Sequence, residues 1–182
     1  MTTLPWGRPL TEDDLALMPD DGHRYELLDG TLIVTPAPGT SHQVCVGSLY
    51  VLLHAACPAG LLVLPAPFDV KPFVGTVLQP DVLVARRADF TAKDIRKPLL
   101  LAVEVRSPST ASIDLGAKML AYARAGIPSY WVVDPDAPSI RAFALQEGAY
   151  VEVAAAAGDE TVMLDAPYRV AVTPARLLDA LR

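Results

Sequence analysis

The chain has 182 residues, of which 52% are hydrophobic and 20% are charged, and its formal net charge at pH 7 is −6. This length and apolar content exclude a disordered chain and predict a single compact domain over residues 1–182. The negative charge excludes a protein whose whole surface grips nucleic acid, because phosphate binding depends on lysine and arginine; it leaves room for a local basic cleft.

The first half of the chain predicts two helices, a hairpin and several short strands. Thr11 begins a capping-box pattern, T-E-D-D, which predicts a short helix. Residues 24–34, RYELLDGTLIV, form two alternating runs joined by Asp-Gly and predict a β-hairpin. Residues 43–56 carry apolar side chains at helical spacing. Apolar runs bounded by prolines then predict strands over 61–64, 68–70 and 77–85.

The second half predicts a strand–helix–strand unit followed by a hairpin. A strand over 99–105 precedes a helix that Ser109 or Thr110 can cap and that runs to about residue 124. Residues 129–134 predict the next strand, parallel to the first through a right-handed crossover. A hairpin over 140–153 and a closing helix over 173–181 complete the chain. The order predicts an α/β fold with a mixed sheet flanked by helices.

Cysteine usage and apolar runs predict the compartment. Cys45 and Cys57 lie twelve residues apart in one predicted helical segment. That separation is about 18 Å on a helix, too far for a disulfide, so two reduced thiols are expected. No secretory signal and no membrane-spanning run is recognisable. We therefore expect a cytoplasmic protein that does not enter a membrane.

Glu104 interrupts the apolar run Leu99 to Val105. Such a run is typical of a central strand covered on both faces, where an ionised carboxylate is costly unless it is paired or binds a metal. Three interpretations are open: the strand is misassigned, Glu104 forms a buried ion pair with Arg106 or another cation, or Glu104 belongs to a functional site.

Asp81 has a similar setting, because it follows Pro80 and opens an apolar run. If the two strands pair, Asp81 and Glu104 can converge at one end or face of the sheet. Carboxylate oxygens completed by water are the ligands that Mg²⁺ requires, and a cation there would compensate the buried charge. The alternative is that Asp81 caps the turn after Pro80 and that Glu104 pairs with a basic side chain.

The helix after Glu104 carries Asp114, Lys118 and Tyr122 on one face. Asp114 and Lys118 can form a solvent-exposed pair, or Lys118 can point toward the carboxylates, where it would position a water or offset phosphate charge. His42 is open in the same way, between a structural role at the start of a helix and a role near the site. Spacing does not decide either question.

Six segments occur in a characteristic order along most of the chain. They are RYELLDG (24–30), His42, PDV (80–82), EVRSPST (104–110), the D-x-x-x-K-x-x-x-Y helix (114–122) and GIPSYWVVDP (126–135). Together they resemble the Uma-type family of small bacterial endonucleases, within the PD-(D/E)xK nuclease superfamily. The resemblance implies a restriction-endonuclease-like fold, with a mixed central sheet flanked by helices and additional β-hairpins.

The resemblance also implies an activity and a set of site residues. The activity is hydrolysis of phosphodiester bonds in nucleic acid, with DNA favoured, and the cofactor is Mg²⁺ or Mn²⁺. Asp81 and Glu104 match the two metal carboxylates, and Glu26 matches a further acidic residue of the site. Residues expected near the substrate are His42, Arg106, Ser107 and Tyr122.

The lysine of the superfamily motif departs from its usual place. It normally follows the glutamate by two residues, a position held here by Arg106, which faces the same side of an ideal strand as Glu104. A guanidinium does not release its proton at working pH, so Arg106 can clamp a phosphate but cannot act as a general base. Other branches of the superfamily are similar in carrying this lysine on the next helix. Lys118 is therefore the expected catalytic ammonium.

Two function classes remain at this point. The first is a metal-dependent nuclease; the second is a nuclease-fold protein that binds nucleic acid or a protein partner without cutting, which the acidic charge and the missing strand lysine favour. An unrelated hydrolase is disfavoured, because the sequence has no G-x-S-x-G, P-loop or paired C-x-x-C motif. The mean hydropathy of +0.31 further predicts a homodimer.

Overall fold

The computed structural model describes residues 5, 7–107 and 116–181, and their strands fall into three sheets. The α-helices are α1 (Glu12–Leu15), α2 (Thr40–Ala55) and α3 (Ala117–Arg124), and 3₁₀ helices span Arg87–Asp89 and Pro174–Leu181. The strands are β1 (Arg24–Leu28), β2 (Thr31–Thr35), β3 (Leu61–Pro65), β4 (Asp69–Phe73), β5 (Thr76–Leu78), β6 (Val82–Arg86), β7 (Asp94–Ile95), β8 (Leu101–Val105), β9 (Ser129–Asp134), β10 (Ser139–Gln146), β11 (Ala149–Ala157), β12 (Val162–Leu164) and β13 (Val170–Val172).

The central sheet has six strands in the order β11-β10-β9-β8-β6-β3. Strands β8 and β9 pair in parallel and the other neighbours are antiparallel, so the predicted parallel step from β8 to β9 is confirmed. A second sheet has the order β2-β1-β5-β4-β7, and β12 and β13 form a short ribbon. The α/β architecture with a mixed sheet, flanking helices and hairpins agrees with the predicted fold class.

Two sequence signals are realised directly in the local structure. Thr11 and Asp14 form the reciprocal hydrogen bonds of a capping box at the start of α1. The β1–β2 turn has positive φ at Asp29 (50°) and Gly30 (77°), the combination for which Asp-Gly is favoured in tight hairpins. A Cβ at Gly30 would also collide with Pro9. The hairpin that carries Glu26 is therefore fixed by its turn.

The central sheet is buried on both faces. Alternate side chains of β6, β8 and β9 pack with α2 and the C-terminal 3₁₀ helix on one face, and with α3 on the other. Leu49 of α2 is fully buried in the first cluster, whereas Tyr122 of α3 is fully buried in the second. This alternation decides on which face each polar residue of the strands lies.

Truncating a buried side chain on the α2 face of the sheet should have a large effect on stability. Leu49→Ala should lower the free energy of unfolding by about 2–5 kcal/mol, because it removes buried contacts and leaves a cavity. Val51→Ala on the same helix is the matched control; its side chain is 65% exposed, so a change within about 0.5 kcal/mol is expected. Urea unfolding measures both. Equal losses for the two variants would contradict this packing.

Several predicted bounds differ from the structure. The single strand predicted over 77–85 is two strands, β5 and β6, which belong to different sheets and are separated by residues 79–81. Pro80 has no N–H to donate to a ladder, so the chain leaves one sheet there and enters the next. Strands β7, β12 and β13 were not predicted, and the closing segment is a 3₁₀ helix. The predicted caps Ser109 and Thr110 lie outside the described residues.

The cysteines differ in position from the sequence expectation. Cys45 is buried in α2, whereas Cys57 lies beyond the last residue of that helix, Ala55, and is only half-buried. The interpretation that both belong to one helical segment is therefore wrong, and both are free thiols. No helix in the described part of the chain is long and apolar enough to cross a membrane.

Candidate active site

Asp81 and Glu104 lie opposite each other on neighbouring strands. Strands β6 and β8 are antiparallel with Val82 opposite Val103, and continuing that register by one residue brings Asp81 opposite Glu104. The chain passes from one sheet to the next over residues 79–81, so Asp81 lies one residue before the start of β6 at Val82. The change of sheet at Pro80 therefore brings the two acidic residues to facing positions at the ends of β6 and β8.

Glu104 belongs to the face of the central sheet that α3 covers. Its neighbour two residues back, Ala102, packs on the α3 side, and side chains alternate along a strand, so Glu104 shares that side. Asp81 precedes β6, and its side chain contacts Arg24 of β1 and His42 of α2. The two carboxylates are therefore linked through the charged side chains between them, because Arg24 also lies 3.6 Å from Glu26, which binds Lys118.

Asp81 is buried but has three polar contacts. The backbone N–H of Val105 donates to Oδ2 at 2.8 Å, and Nη1 of Arg24 donates to Oδ1 at 2.8 Å. Nε2 of His42, in the first turn of α2, lies 3.3 Å from Oδ2. Burial by itself would raise the pKa of Asp81, but the hydrogen bond with His42 and the positive charge of Arg24 lower it to about 2. Asp81 is therefore ionised at neutral pH.

Glu104 is held by two residues of α3. Tyr122 donates its hydroxyl to Oε1 at 2.7 Å, and Lys118 donates to the same oxygen at 3.2 Å. Burial and the neighbouring Glu104 carboxylate raise the pKa of Tyr122 well above its ordinary value, so this hydroxyl remains a donor. The spacing of four residues between Lys118 and Tyr122 brings both to one side of the helix.

Lys118 joins Glu104 to a third carboxylate, Glu26 of β1. Its Nζ lies 3.0 Å from Oε2 of Glu26, and the Lys118 side chain is 1% exposed. The other oxygen of Glu26 accepts the backbone N–H of Gln79 at 2.7 Å. A lysine so deeply buried requires opposite charge around it, and the two glutamates supply that charge.

Arg24 is a site residue for which no role was predicted from the sequence. It precedes Glu26 by two residues on β1, its Nε lies 3.6 Å from Oε2 of Glu26, and its Nη1 binds Asp81. Burial lowers the pKa of Arg24, but Glu26, Asp81 and Glu104 raise it above the ordinary value, so the guanidinium stays charged. The alternation of arginine and glutamate in R-Y-E was the signal that could have indicated it.

Buried polar atoms without a hydrogen-bond partner concentrate in this region. Among the described residues there are four such atoms, and all belong to the charged cluster (Arg24, Glu26, His42, Asp81, Glu104 and Lys118) or to Arg106, two residues after Glu104. They are Nε of Arg24, Oε2 of Glu26, Nδ1 of His42 and Nε of Arg106. Buried polar groups are nearly always satisfied. Oε2 of Glu26 is within ion-pair distance of Lys118, so the groups that water or a bound ligand would satisfy are the three nitrogen atoms.

The residues present fit a hard divalent cation. Two opposed carboxylates supply the oxygen ligands that Mg²⁺ prefers, and Mg²⁺ commonly keeps several waters and takes only one or two carboxylates from the protein. Within the described ranges no group of three or more His, Cys, Asp or Glu side chains is arranged to hold a metal. A site of one or two carboxylates completed by water has fewer than three such ligands.

A cleft of about 840 Å³ leads to the cluster. Its lining includes Arg24, His42, Asp81 and Ser107, together with residues of α1 and of the loop before α2. The predicted substrate-side residues His42 and Ser107 are thus brought to one opening. Glu26 and Glu104 are not part of the lining. Glu26 contacts Arg24, which lines the cleft, and Glu104 contacts the buried Lys118.

These contacts decide two alternatives from the sequence. The buried ion pair of Glu104 with Arg106 or another cation is present, and the cation is Lys118. Arg106 instead binds Oδ2 of Asp134 through Nη1, at 2.6 Å. The parallel register of β8 and β9 explains this pairing, since Val105 lies opposite Val133 and the next residues along meet. An exposed Lys118 is likewise wrong, because that side chain is buried; its predicted partner Asp114 lies outside the described residues.

The comparisons with known proteins agree with this architecture. The model of the Uma2 family, described as "Putative restriction endonuclease", matches residues 12–175. This chain belongs to the Uma2 family. The matched range contains all the site residues described above: Arg24, Glu26, His42, Asp81, Glu104, Lys118 and Tyr122. No curated protein matches the chain.

A solved structure shares the fold. It is the crystal structure of "a putative nuclease belonging to DUF820" from Anabaena variabilis, which is 16% identical in sequence and superposes with a TM-score of 0.73. The likeness covers 96% of this Uma2 chain and 100% of the other. At that identity the superposition establishes the shared fold.

Proposed function

We propose that this Uma2 protein is a metal-dependent nuclease that hydrolyses phosphodiester bonds in nucleic acid, with DNA as the favoured substrate. The observation that carries the proposal is the pair Asp81 and Glu104, opposed on neighbouring strands, with Lys118 bound to Glu104. Several buried ionised groups gathered at the end of a cleft are costly for stability and are typical of functional sites.

Asp81 and Glu104 are the residues that would hold Mg²⁺ or Mn²⁺. A divalent ion bound there supplies polarisation of a phosphoryl oxygen and activation of a water molecule. The hydrogen bond from Val105 fixes the Asp81 carboxylate, and the hydroxyl of Tyr122 fixes that of Glu104. Their orientation is therefore set by the sheet and by α3 before any ligand arrives.

Lys118 supplies the positive charge that phosphoryl transfer needs. Its ammonium is held between Glu26 and Glu104, so it is available at a fixed place to stabilise negative charge that develops on the phosphate. Glu26 acts through Lys118, as the group that keeps the ammonium charged and in place. His42 and Ser107, which line the cleft, are proposed to contact the substrate there, and Arg106, two residues after Glu104, is proposed to contact it as well.

A second candidate function is a nuclease-fold binding module that does not cut. The observation that favours it is that both cations inside the cluster, Arg24 and Lys118, are already bound to carboxylates. The net charge of −6 also gives little general attraction for phosphates. Binding of nucleic acid or a protein without any cleavage would support this candidate.

A cleavage assay separates the two. Single- and double-stranded DNA and RNA of one sequence are incubated with the protein in Mg²⁺, in Mn²⁺ and in EDTA, followed by gel electrophoresis. We expect cleavage with either metal and none in EDTA. A variant of a distant exposed carboxylate, Asp159→Asn, should cut like the parent. Cleavage that survives EDTA, or stable binding without cleavage in every metal, would contradict the nuclease proposal.

We also propose that the protein is a homodimer. Large apolar side chains are exposed in several places, including Val74 at 99% and Leu120 at 73%, and exposed apolar surface commonly marks interfaces. Light scattering coupled to gel filtration should give twice the mass of the 19.4 kDa chain at micromolar concentration. A monomer mass across that range would overturn the proposal.

The cellular location proposed is the cytoplasm. Both cysteines are free, and Cys45 is buried, which suits a reducing compartment. Burial raises the pKa of Cys45 to about 12, so this thiol is unreactive at neutral pH.

A further inference from the structure

Arg24 is the one positive group of the cluster that reaches both an expected metal ligand and the cleft. Its side chain is 19% exposed and lines the cleft, whereas Lys118 is 1% exposed and does not. We propose that Arg24 is a positioning residue that stands in for the divalent ion while the site is metal-free, and that its charge sets how tightly the site binds metal. The inference rests on the proposed function, because it takes Asp81 as a metal ligand.

The contacts of Asp81 assign separate roles to its two oxygens. Oδ2 is tied to the fold by the backbone N–H of Val105 and by His42. Oδ1 is bound by Nη1 of Arg24. A side chain can withdraw from a ligand more easily than a strand backbone can, so Oδ1 is the oxygen that a metal ion would take over. Arg24 and the metal ion then compete for one atom.

The charges of the cluster lead to the same conclusion. Glu26, Asp81 and Glu104 carry three negative charges, and Arg24 and Lys118 carry two positive ones, which leaves one negative charge in excess over these five side chains. A divalent ion would turn this excess into one positive charge. Without the guanidinium, the same ion would bring the cluster to neutrality. Arg24 therefore stabilises the metal-free site and opposes metal binding.

The other contacts of the Arg24 guanidinium do not depend on Asp81. Nε of Arg24 is buried without a hydrogen-bond partner, and it lies 3.6 Å from Oε2 of Glu26, which lies closer to Lys118, at 3.0 Å. Nη1 also donates to the backbone carbonyl of Gln79 at 3.2 Å, a contact that persists if Asp81 is released. The residue can thus give up Oδ1 without losing every partner.

The test measures Mn²⁺ affinity directly, by electron paramagnetic resonance of free Mn²⁺ in titrations of the full chain without nucleic acid. Arg24→Met should bind Mn²⁺ at least tenfold more tightly than the parent, since removing one nearby positive charge from a partly buried site favours a cation. Arg24→Lys keeps the charge and should bind with an affinity close to that of the parent. The matched control is Arg141→Met, an exposed arginine paired with Glu152 on β10 and β11.

Thermal unfolding gives a second readout if Arg24→Met folds poorly. This variant should melt below the parent without metal, and added Mn²⁺ should raise its melting temperature by more than it raises that of the parent. Equal or weaker Mn²⁺ affinity in Arg24→Met, with an equal or smaller melting shift, would overturn the inference and leave the nuclease proposal intact. Absence of any Mn²⁺ binding by the parent would overturn both.

Discussion

Replacing Lys118 by alanine should abolish cleavage and lower the free energy of unfolding by about 3–5 kcal/mol at neutral pH, the usual effect of removing one partner of a buried ion pair. The ammonium separates Glu26 from Glu104 at 3.0 and 3.2 Å, and without it two buried carboxylates would face each other. Domains of this size typically have about 5–15 kcal/mol of stability, so the fold should survive. Urea unfolding and the cleavage assay measure the two effects.

The loss of stability in Lys118→Ala should depend on pH. In the folded variant, burial and like charge disfavour ionisation of the two facing carboxylates. The penalty is therefore smallest at acidic pH, where carboxylates are protonated, and grows as the pH rises above the ordinary glutamate range of about 4.3. The variant should be nearest to the parent at acidic pH.

Arg106→Lys is the matched control for Lys118. It keeps the positive charge that pairs with Asp134 and that is proposed to contact the substrate, so cleavage should be retained and stability should change little. If Arg106→Lys lost cleavage while Lys118→Ala kept it, the assignment of the catalytic ammonium to Lys118 would be wrong. A stability loss in Lys118→Ala that is the same at every pH would contradict the buried carboxylate pair.

Asp81→Asn should lower the cleavage rate by at least a thousandfold, because it removes a proposed metal ligand and its charge. The amide is nearly isosteric and keeps an oxygen that can accept the N–H of Val105, so the secondary structure should be unchanged. Asp159→Asn remains the control for a carboxylate-to-amide change at an exposed position. Cleavage by Asp81→Asn at the parental rate would exclude Asp81 from the site.

The lowered pKa of Asp81 also predicts that the stability of the parent protein depends on pH in the acid range. Its folded pKa of about 2 is below the ordinary value of 3.8, so its contribution to stability is present above pH 3.8 and is lost as the pH falls through 2. The shift corresponds to about 2 kcal/mol. Unfolding free energies of the parent should therefore fall by about 2 kcal/mol more than those of Asp81→Asn across this window. Parallel pH profiles would contradict the paired state of Asp81.

The sequence predicted the site best where one residue type stood out against its surroundings. Glu104 in an apolar strand, Asp81 ahead of another and the four-residue spacing from Lys118 to Tyr122 drew attention to these residues. In the structure, Lys118 and Tyr122 bind Glu104, and Arg24 binds Asp81. The Asp29-Gly30 turn and the helix cap at Thr11 were readable because local hydrogen bonding determines them.

The remaining features depend on pairing between distant segments. Arg24 became a partner of Asp81 through the contact of β1 with the region around Gln79, and nothing in the local pattern specified that approach. The pairing of Arg106 with Asp134 was not foreseen for the same reason, since it arises from the parallel register of β8 and β9. The change of sheet at Pro80 was missed because residues 77–85 were taken as one strand, although Gln79, Pro80 and Asp81 interrupt its apolar residues.

The position of a bound metal ion tests the central claim most directly. Crystals of the protein soaked in Mn²⁺ should give an anomalous difference peak at Asp81 and Glu104, with oxygen ligands from both carboxylates. Nη1 of Arg24 should have moved away from Oδ1 of Asp81, and Lys118 should still bind Glu104. An anomalous peak at another set of side chains, or ordered Mn²⁺ elsewhere with Asp81 still bound to Arg24, would contradict this account.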